Sequence, residues 1–110
     1  MIVHKIRILK TAAFNEWYGK QPVKTQLIID ARLQRIEIDG HWGTINCFDS
    51  LIELKWKSGI RIYTHFVKGR IVIVLLGGNK NGQSKDIKQA KKILAQVLKE
   101  IAEEDGLSGT

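Results

Sequence analysis

The chain has 110 residues, which suits one domain, since about 100–200 residues per domain is usual. Apolar residues make up 44% and charged residues 26%, an ordinary globular balance that excludes a disordered chain. Eighteen Lys and Arg against eleven Asp and Glu leave a net charge of +7, which points to a polyanionic partner such as nucleic acid. The single cysteine, Cys47, excludes an internal disulfide framework. The start, MIVHKIRILK, is too charged for a signal peptide, and the longest aliphatic run, residues 71–76, is too short to span a membrane. The expected setting is the cytoplasm.

In chain order, residues 2–9 alternate as a strand, with Ile2, His4, Ile6 and Ile8 on one face. Residues 11–20 suit a short helix, with Phe14 and Trp17 at i, i+3. Residues 22–38 read as a longer helix with Pro22 in its first turn and Gly40 as its stop. Ile29, Leu33 and Ile36 form one stripe on it, and Val23, Leu27 and Ala31 a second, so contact on two sides is expected. Residues 44–48 give a weak strand signal. Residues 51–56 and 60–67 alternate clearly, and residues 70–76 are apolar on both faces, as in a central covered strand. Residues 84–104 form the last helix, with Ser84 as N-cap and Asp86 in the first turn. The class is α+β, in the order β-α-α-β-β-β-α, with helices packed on an antiparallel meander. Residues 1–106 make one domain, and 107–110 a loose tail.

Turn chemistry sets the expected register. A three-residue loop, Lys57-Ser58-Gly59, pairs Lys55 with Arg61 and Glu53 with Tyr63 and keeps the apolar residues on one face. A two-residue Lys68-Gly69 turn then pairs Phe66 with Ile71, Thr64 with Ile73 and Ile62 with Leu75. The apolar face is expected to hold Leu54, Trp56, Ile60, Ile62, Phe66, Ile73 and Leu75, and the other face Glu53, Lys55, Arg61, Tyr63 and His65. Lys55 opposite Arg61 is a like-charge pair that costs a few tenths of a kcal/mol or more, a cost that a bound phosphate would remove. Lys57 and Lys80 are placed to approach the same surface, and Tyr63 and His65 add a stacking surface and a titratable group. His4, His41, His65 and Cys47 lack metal-ligand spacing, and Gly77-Gly78 lacks the Lys-Ser/Thr of a phosphate loop. Trp17, Trp42 and Trp56 are expected in the core.

Residues 51–63, LIELKWKSGIRIY, followed by a central apolar strand, resemble the RelE/ParE superfamily of bacterial toxins. Residues 76–87, LGGNKNGQSKDI, resemble its HigB-like, phage-derived addiction module killer branch through Gly77, Gly78, Lys80, Gln83, Asp86 and Ile87, then Lys88, Ala90 and Lys91. Phe14-Asn-Glu-Trp17 and Asp30-Ala-Arg-Leu33 are similar to that branch as well. The resemblance covers residues 14–98. It implies a curved sheet in a RelE-like fold and a toxin that cleaves mRNA in the ribosome, held inactive by a cognate antitoxin, of which a helix-turn-helix type is one form. It also implies basic site residues at Lys55, Lys57, Arg61 and Lys80. A further basic position of the family is Glu53 here, and its Tyr or His near the last helix is replaced by Ser84-Lys85-Asp86-Ile87. On this reading Arg61, Lys55 and Lys80 stabilise charge on the phosphate, and proton transfer falls to His65, Tyr63 or Asp86. Lys57, Gln83 and Lys85 hold the RNA, with no metal or cofactor in the reaction. The alternatives are a ParE-like gyrase inhibitor and a catalytically degenerate relative that only binds RNA or antitoxin.

Overall fold

The computed structural model describes residues 5–108, with side chains to residue 103. The elements are β1 (Arg7–Lys10), α1 (Ala12–Gly19), α2 (Val23–Asp39), β2 (Ile45–Phe48), β3 (Leu51–Lys55), β4 (Ile60–Val67), β5 (Ile71–Asn79), a 3-10 turn (Lys80–Gly82) and α3 (Gln83–Ser108). This is an α+β fold. The five strands form one sheet in the order β1-β5-β4-β3-β2. β2 to β5 make the antiparallel meander, and β1 joins β5 in parallel, so the sheet is mixed. The weak signal at 44–48 becomes a full edge strand, one strand more than the expected order counts. Of the strand expected over 2–9, residues 7–10 carry the pairing and residues 1–4 lie outside the described residues. α3 runs through Ser108, two residues into the expected tail.

Local chemistry accounts for the helix ends. The Thr11 hydroxyl accepts from the Phe14 N–H at 3.1 Å and donates to the Leu75 carbonyl at 2.8 Å, so one side chain caps α1 and ties it to β5. Pro22 is the N-cap of α2, one position before the expected first turn, and its φ of −58° suits the entry. Gly40 ends α2 in the left-handed region at φ +67°, as expected. Ser84 is not a cap. Asn79 caps the 3-10 turn, its side chain accepting from the Asn81 N–H at 2.9 Å, and the turn leads directly into α3. Asn79 supplies the capping oxygen one turn earlier, so no loop separates β5 from α3.

Both faces of the sheet are covered. Phe14, Ile29, Leu33, Ile36, Leu54, Ile62, Val72 and Val74 form a core between the sheet and α1 and α2, with Trp17, Trp42, Trp56, Ile60 and Phe66 packed around it. Leu51, Tyr63, Ile73, Leu75, Ala90 and Leu94 form a second core under α3. The β3–β4 register is the expected one, with Lys55 opposite Arg61 and Glu53 opposite Tyr63. The β4–β5 register is shifted by one residue on the turn side of an irregularity at Tyr63/Thr64, where Phe66 pairs with Val72 and Thr64 with Val74, and by two residues beyond it, where Ile62 pairs with Gly77. Lys68 and Gly69 do take positive φ (+53° and +68°), and the Arg70 N–H donates to the Val67 carbonyl at 3.0 Å. The ladder nevertheless starts at Val67–Ile71, leaving Arg70 as an extra turn residue. Ile73 and Leu75 therefore face α3, and Val72 and Val74 take their places in the first core. β5 is apolar on both faces, so its pattern fits either register. A bulge at Tyr63/Thr64 lets both Leu75 and Leu76 pack on the α3 side.

α2 buries the Ile29, Leu33 and Ile36 stripe. Its second stripe is open, with Val23 69% and Leu27 62% exposed, so the expected second contact is not made within the described residues.

Candidate nucleic-acid interface

The β3–β4 hairpin and the start of α3 bring most of the expected site residues together. The hairpin turn closes through Trp56 N–H to Ile60 O and Gly59 N–H to Trp56 O, both 3.1 Å, with Gly59 at φ +103°. The Lys80 N–H donates to the Gly59 carbonyl at 2.8 Å, and the aliphatic stem of Lys80 crosses Gly59, 3.6 Å from where a Cβ would stand. Lys80 is thus fixed at the hairpin end by its own backbone. Lys57 is exposed in the turn, and Lys85 is exposed in the first turns of α3.

Lys55 and Arg61 are direct cross-strand partners. Arg61 is half-buried, and its Nη1 donates to the carbonyls of Trp56 and Ile60, both at 2.9 Å. Its Nε is buried and has no partner. Lys55 lies beside the Asn46 side-chain amide. In one orientation that amide donates to Glu53 Oε1 at 3.3 Å. With oxygen and nitrogen exchanged, it accepts from Lys55 Nζ and donates to the Ile45 carbonyl, both at 3.3 Å, satisfying two partners in place of one.

Glu53 and Tyr63 are both 0% exposed. Glu53 accepts from Gln83 Nε2 at 2.7 Å, which couples β3 to the first residue of α3. Gln83, expected on RNA, thus has its amide nitrogen engaged by the protein. The Tyr63 hydroxyl is buried without a hydrogen-bond partner. Burial first, then the nearby carboxylates of Glu53 and Asp86, push its pKa far above 10.0, partly offset by Arg61, so it stays neutral. Burial under α3 also corrects the expectation that Tyr63 offers a stacking surface. Period-2 patterning placed it on the charged face but did not show that a helix covers that part of the face.

Asp86 lies against Gly78, the ladder partner of Arg61, where a Cβ would collide with Asp86 Oδ2. Burial raises the Asp86 carboxyl above its usual 3.8, opposed by Lys85. Gly77 is equally constrained on the opposite face, where the Trp17 ring occupies the place of a Cβ. The Gly77-Gly78 pair therefore lets a tryptophan close on one side of β5 and a carboxylate on the other.

His65 sits near the far end of β4. Its Nδ1 faces the Ser50 carbonyl at 2.7 Å, so that nitrogen carries the proton and donates. Four residues along the strand separate it from Arg61, about 13 Å at strand rise, which places it outside the cation cluster.

The sequence reading missed Asn46, Glu53 as a buried acceptor, and Arg32. Arg32 Nε donates to the Trp42 carbonyl at 2.9 Å, and its two terminal nitrogens donate to the carbonyls of Lys55 and Thr44. Arg32 thereby ties α2 to the strands behind the site, and burial lowers its pKa. A cleft of about 450 Å³ lies on the α1/α2 side, between Lys10, Phe14, Tyr18 and Asp30, away from these cations. Lys57 and Lys80 instead stand on open surface.

The fold and this surface define the class: an α+β protein with helices on both faces of a mixed sheet and cations gathered at one hairpin. No family model matches the chain. It is 39% identical, over 97 residues, to an uncharacterized protein of Haemophilus influenzae, covering 84% of this chain and 96% of that protein. The chain belongs to the same family as that protein. Among the described residues, no helix is long and apolar enough to cross a membrane.

Proposed function

We propose that the protein is the toxin of a toxin–antitoxin pair, a ribosome-dependent mRNA endonuclease of the RelE/ParE superfamily that acts in the cytoplasm and is neutralised by a cognate antitoxin. The observation that carries this reading is the in-register pairing of Lys55 with Arg61 at the hairpin whose end also holds Lys80. Like charges placed opposite one another are unfavourable without an anion, and a phosphodiester supplies one.

In the reaction an RNA 2′-hydroxyl attacks the adjacent phosphorus and the 5′-oxygen leaves. Charge grows on the non-bridging oxygens. The Nη2 donors of Arg61, not used on carbonyls, meet that charge, and Lys55 and Lys80 add point charges. With His65 bound at the other end of β4 and Tyr63 held neutral, Asp86 is the proton carrier that fits best. It is partly exposed, and its raised pKa makes it a stronger base than an ordinary carboxylate. Lys57 and Lys85 contact the strand, and Gln83 holds Glu53 in place.

The test is translation in a cell extract. Arg61→Ala is expected to lose about 100-fold or more of the inhibition with its fold intact. Equal inhibition by wild type and variant refutes the assignment.

One observation favours a second reading. The Tyr63 hydroxyl is shut away, and the chain lacks the family's Tyr or His near α3, as suits a ParE-like gyrase inhibitor. Loss of DNA supercoiling with mRNA left intact would select that reading.

A further inference from the structure

α3 carries a charge pattern that the hairpin cluster does not use. From residue 87 to residue 99 its sequence is IKQAKKILAQVLK, four lysines and no carboxylate. At about 100° per residue, Lys85, Lys88, Lys92 and Lys99 fall within an arc of roughly 60° on one side of the helix. All four are exposed. Ala90 and Leu94, on the opposite side, are buried in the second core, with Ile87 and Val97 packed beside them. Among the described residues the salt bridges are Lys20–Glu16 and Lys91–Asp49, so these four ammonium groups have no carboxylate partner there. Lys85–Lys88 and Lys88–Lys92 are i, i+3 and i, i+4 like-charge pairs, each unfavourable by a few tenths of a kcal/mol. A solvated helix face ordinarily mixes signs, and this one does not for four turns. It starts at the hairpin cluster, because Gln83 is bonded to Glu53 and Lys80 lies over Gly59.

We propose that the outer face of α3 is a track for an RNA backbone, along which Lys88, Lys92 and Lys99 extend the charge of Lys80 and Lys85 away from the hairpin. The fourteen helical steps from Lys85 to Lys99 span about 21 Å. One strand of a stacked nucleic acid carries about six phosphates over that length, at about 3.4 Å each. A membrane is the poorer occupant. An interfacial helix needs its apolar face for lipid, and the apolar face of α3 is spent on the sheet. The choice of RNA rests on the nuclease reading; the track itself rests on the charge pattern.

The test measures the affinity of the full chain for a labelled single-stranded RNA as a function of salt, for wild type and for Lys88→Gln/Lys92→Gln/Lys99→Gln. Each lysine on the backbone contributes about 0.7 to the slope of log affinity against log salt. The triple variant is expected to lose about 2 from that slope, so that between 50 and 200 mM salt the wild type loses about 20-fold more affinity than the variant. An unchanged slope overturns the proposal, as does tight binding to anionic vesicles with none to RNA. Translation inhibition separates the two readings. A changed slope in a protein that does not inhibit translation leaves the track standing and removes the nuclease. Inhibition with an unchanged slope does the reverse.

Discussion

The guanidinium of Arg32 lies 4.3 Å above the ring of Trp56 while its nitrogens donate to the carbonyls of Trp42, Thr44 and Lys55. One side chain thus stacks on the residue that follows β3 and closes the segment leading into β2. Arg32→Ala would strip three carbonyls of their donor and is expected to cost about 2–4 kcal/mol in denaturant unfolding. Arg32→Lys should recover less than half of that, because an ammonium cannot reproduce the planar fork. Full rescue by lysine would show that charge alone matters here.

Gly77 and Trp17 should behave as a coupled pair. Gly77→Ala would push a methyl into the indole, costing about 1–3 kcal/mol as overpacking. In a Trp17→Ala background the same change should cost almost nothing. Additive losses would mean that the ring is not what limits the position.

Glu53 and Gln83 join β3 to α3 through a buried, charge-assisted hydrogen bond. Gln83→Ala removes a donor from a carboxylate without solvent and is expected to cost about 1.5–3 kcal/mol. A double-mutant cycle with Glu53→Ala should return a coupling of about 1–2 kcal/mol. A coupling near zero would place the two side chains apart in solution.

The chain has two tyrosines, and both have pKa values raised above 10.0: Tyr18 by burial and by its hydrogen bonds to Asp30, Tyr63 by burial and by Glu53. An acid with a raised folded pKa binds more protons folded than unfolded. Its contribution is whole below the unfolded value near pH 10 and is lost as pH climbs past it. Ultraviolet titration should therefore show no tyrosinate at the usual pH, with Tyr63 ionising last and together with unfolding. Tyr63→Phe should flatten the alkaline loss of stability. Early ionisation of Tyr63 would contradict the packing of α3.

His65 donates to the Ser50 carbonyl at the far end of β4. On the proposed nuclease reading, His65→Gln is expected to inhibit translation as the wild type does, measured in the same extract as Arg61→Ala. A large loss would return the imidazole to the proton-transfer step.

Much of the hairpin was legible because its turn chemistry and its alternation agree. Lys57-Ser58-Gly59 admits a single register that keeps Leu54 and Ile62 on one side, and Lys55 then has to face Arg61. The next turn carried no such check. Residues 71–76 are apolar throughout, so a shift by one residue exchanges Ile73 for Val72 at no cost in pattern. The covering of Tyr63 and Glu53 was invisible for another reason. It depends on where α3 lies, and the sequence marks the apolar side of α3 without marking which strands it meets. Strand and turn signals bring Lys55, Lys57, Arg61 and Lys80 to one surface, whereas the place of Asp86 against Gly78 is visible only in the structure. The separation of His65 from them was not legible, because alternation assigns a face and is silent about distance along it.

β5 passes into α3 through a single 3-10 turn, and Asp86 rests against Gly78 with no space to spare. The angular phase of the helix is therefore geared to the last pleat of the strand. One residue inserted between Gly78 and Asp86 would turn α3 by about 100°, swinging Leu94 toward water and its lysines toward the sheet. Natural variation in this junction should accordingly change side chains while keeping the number of residues fixed.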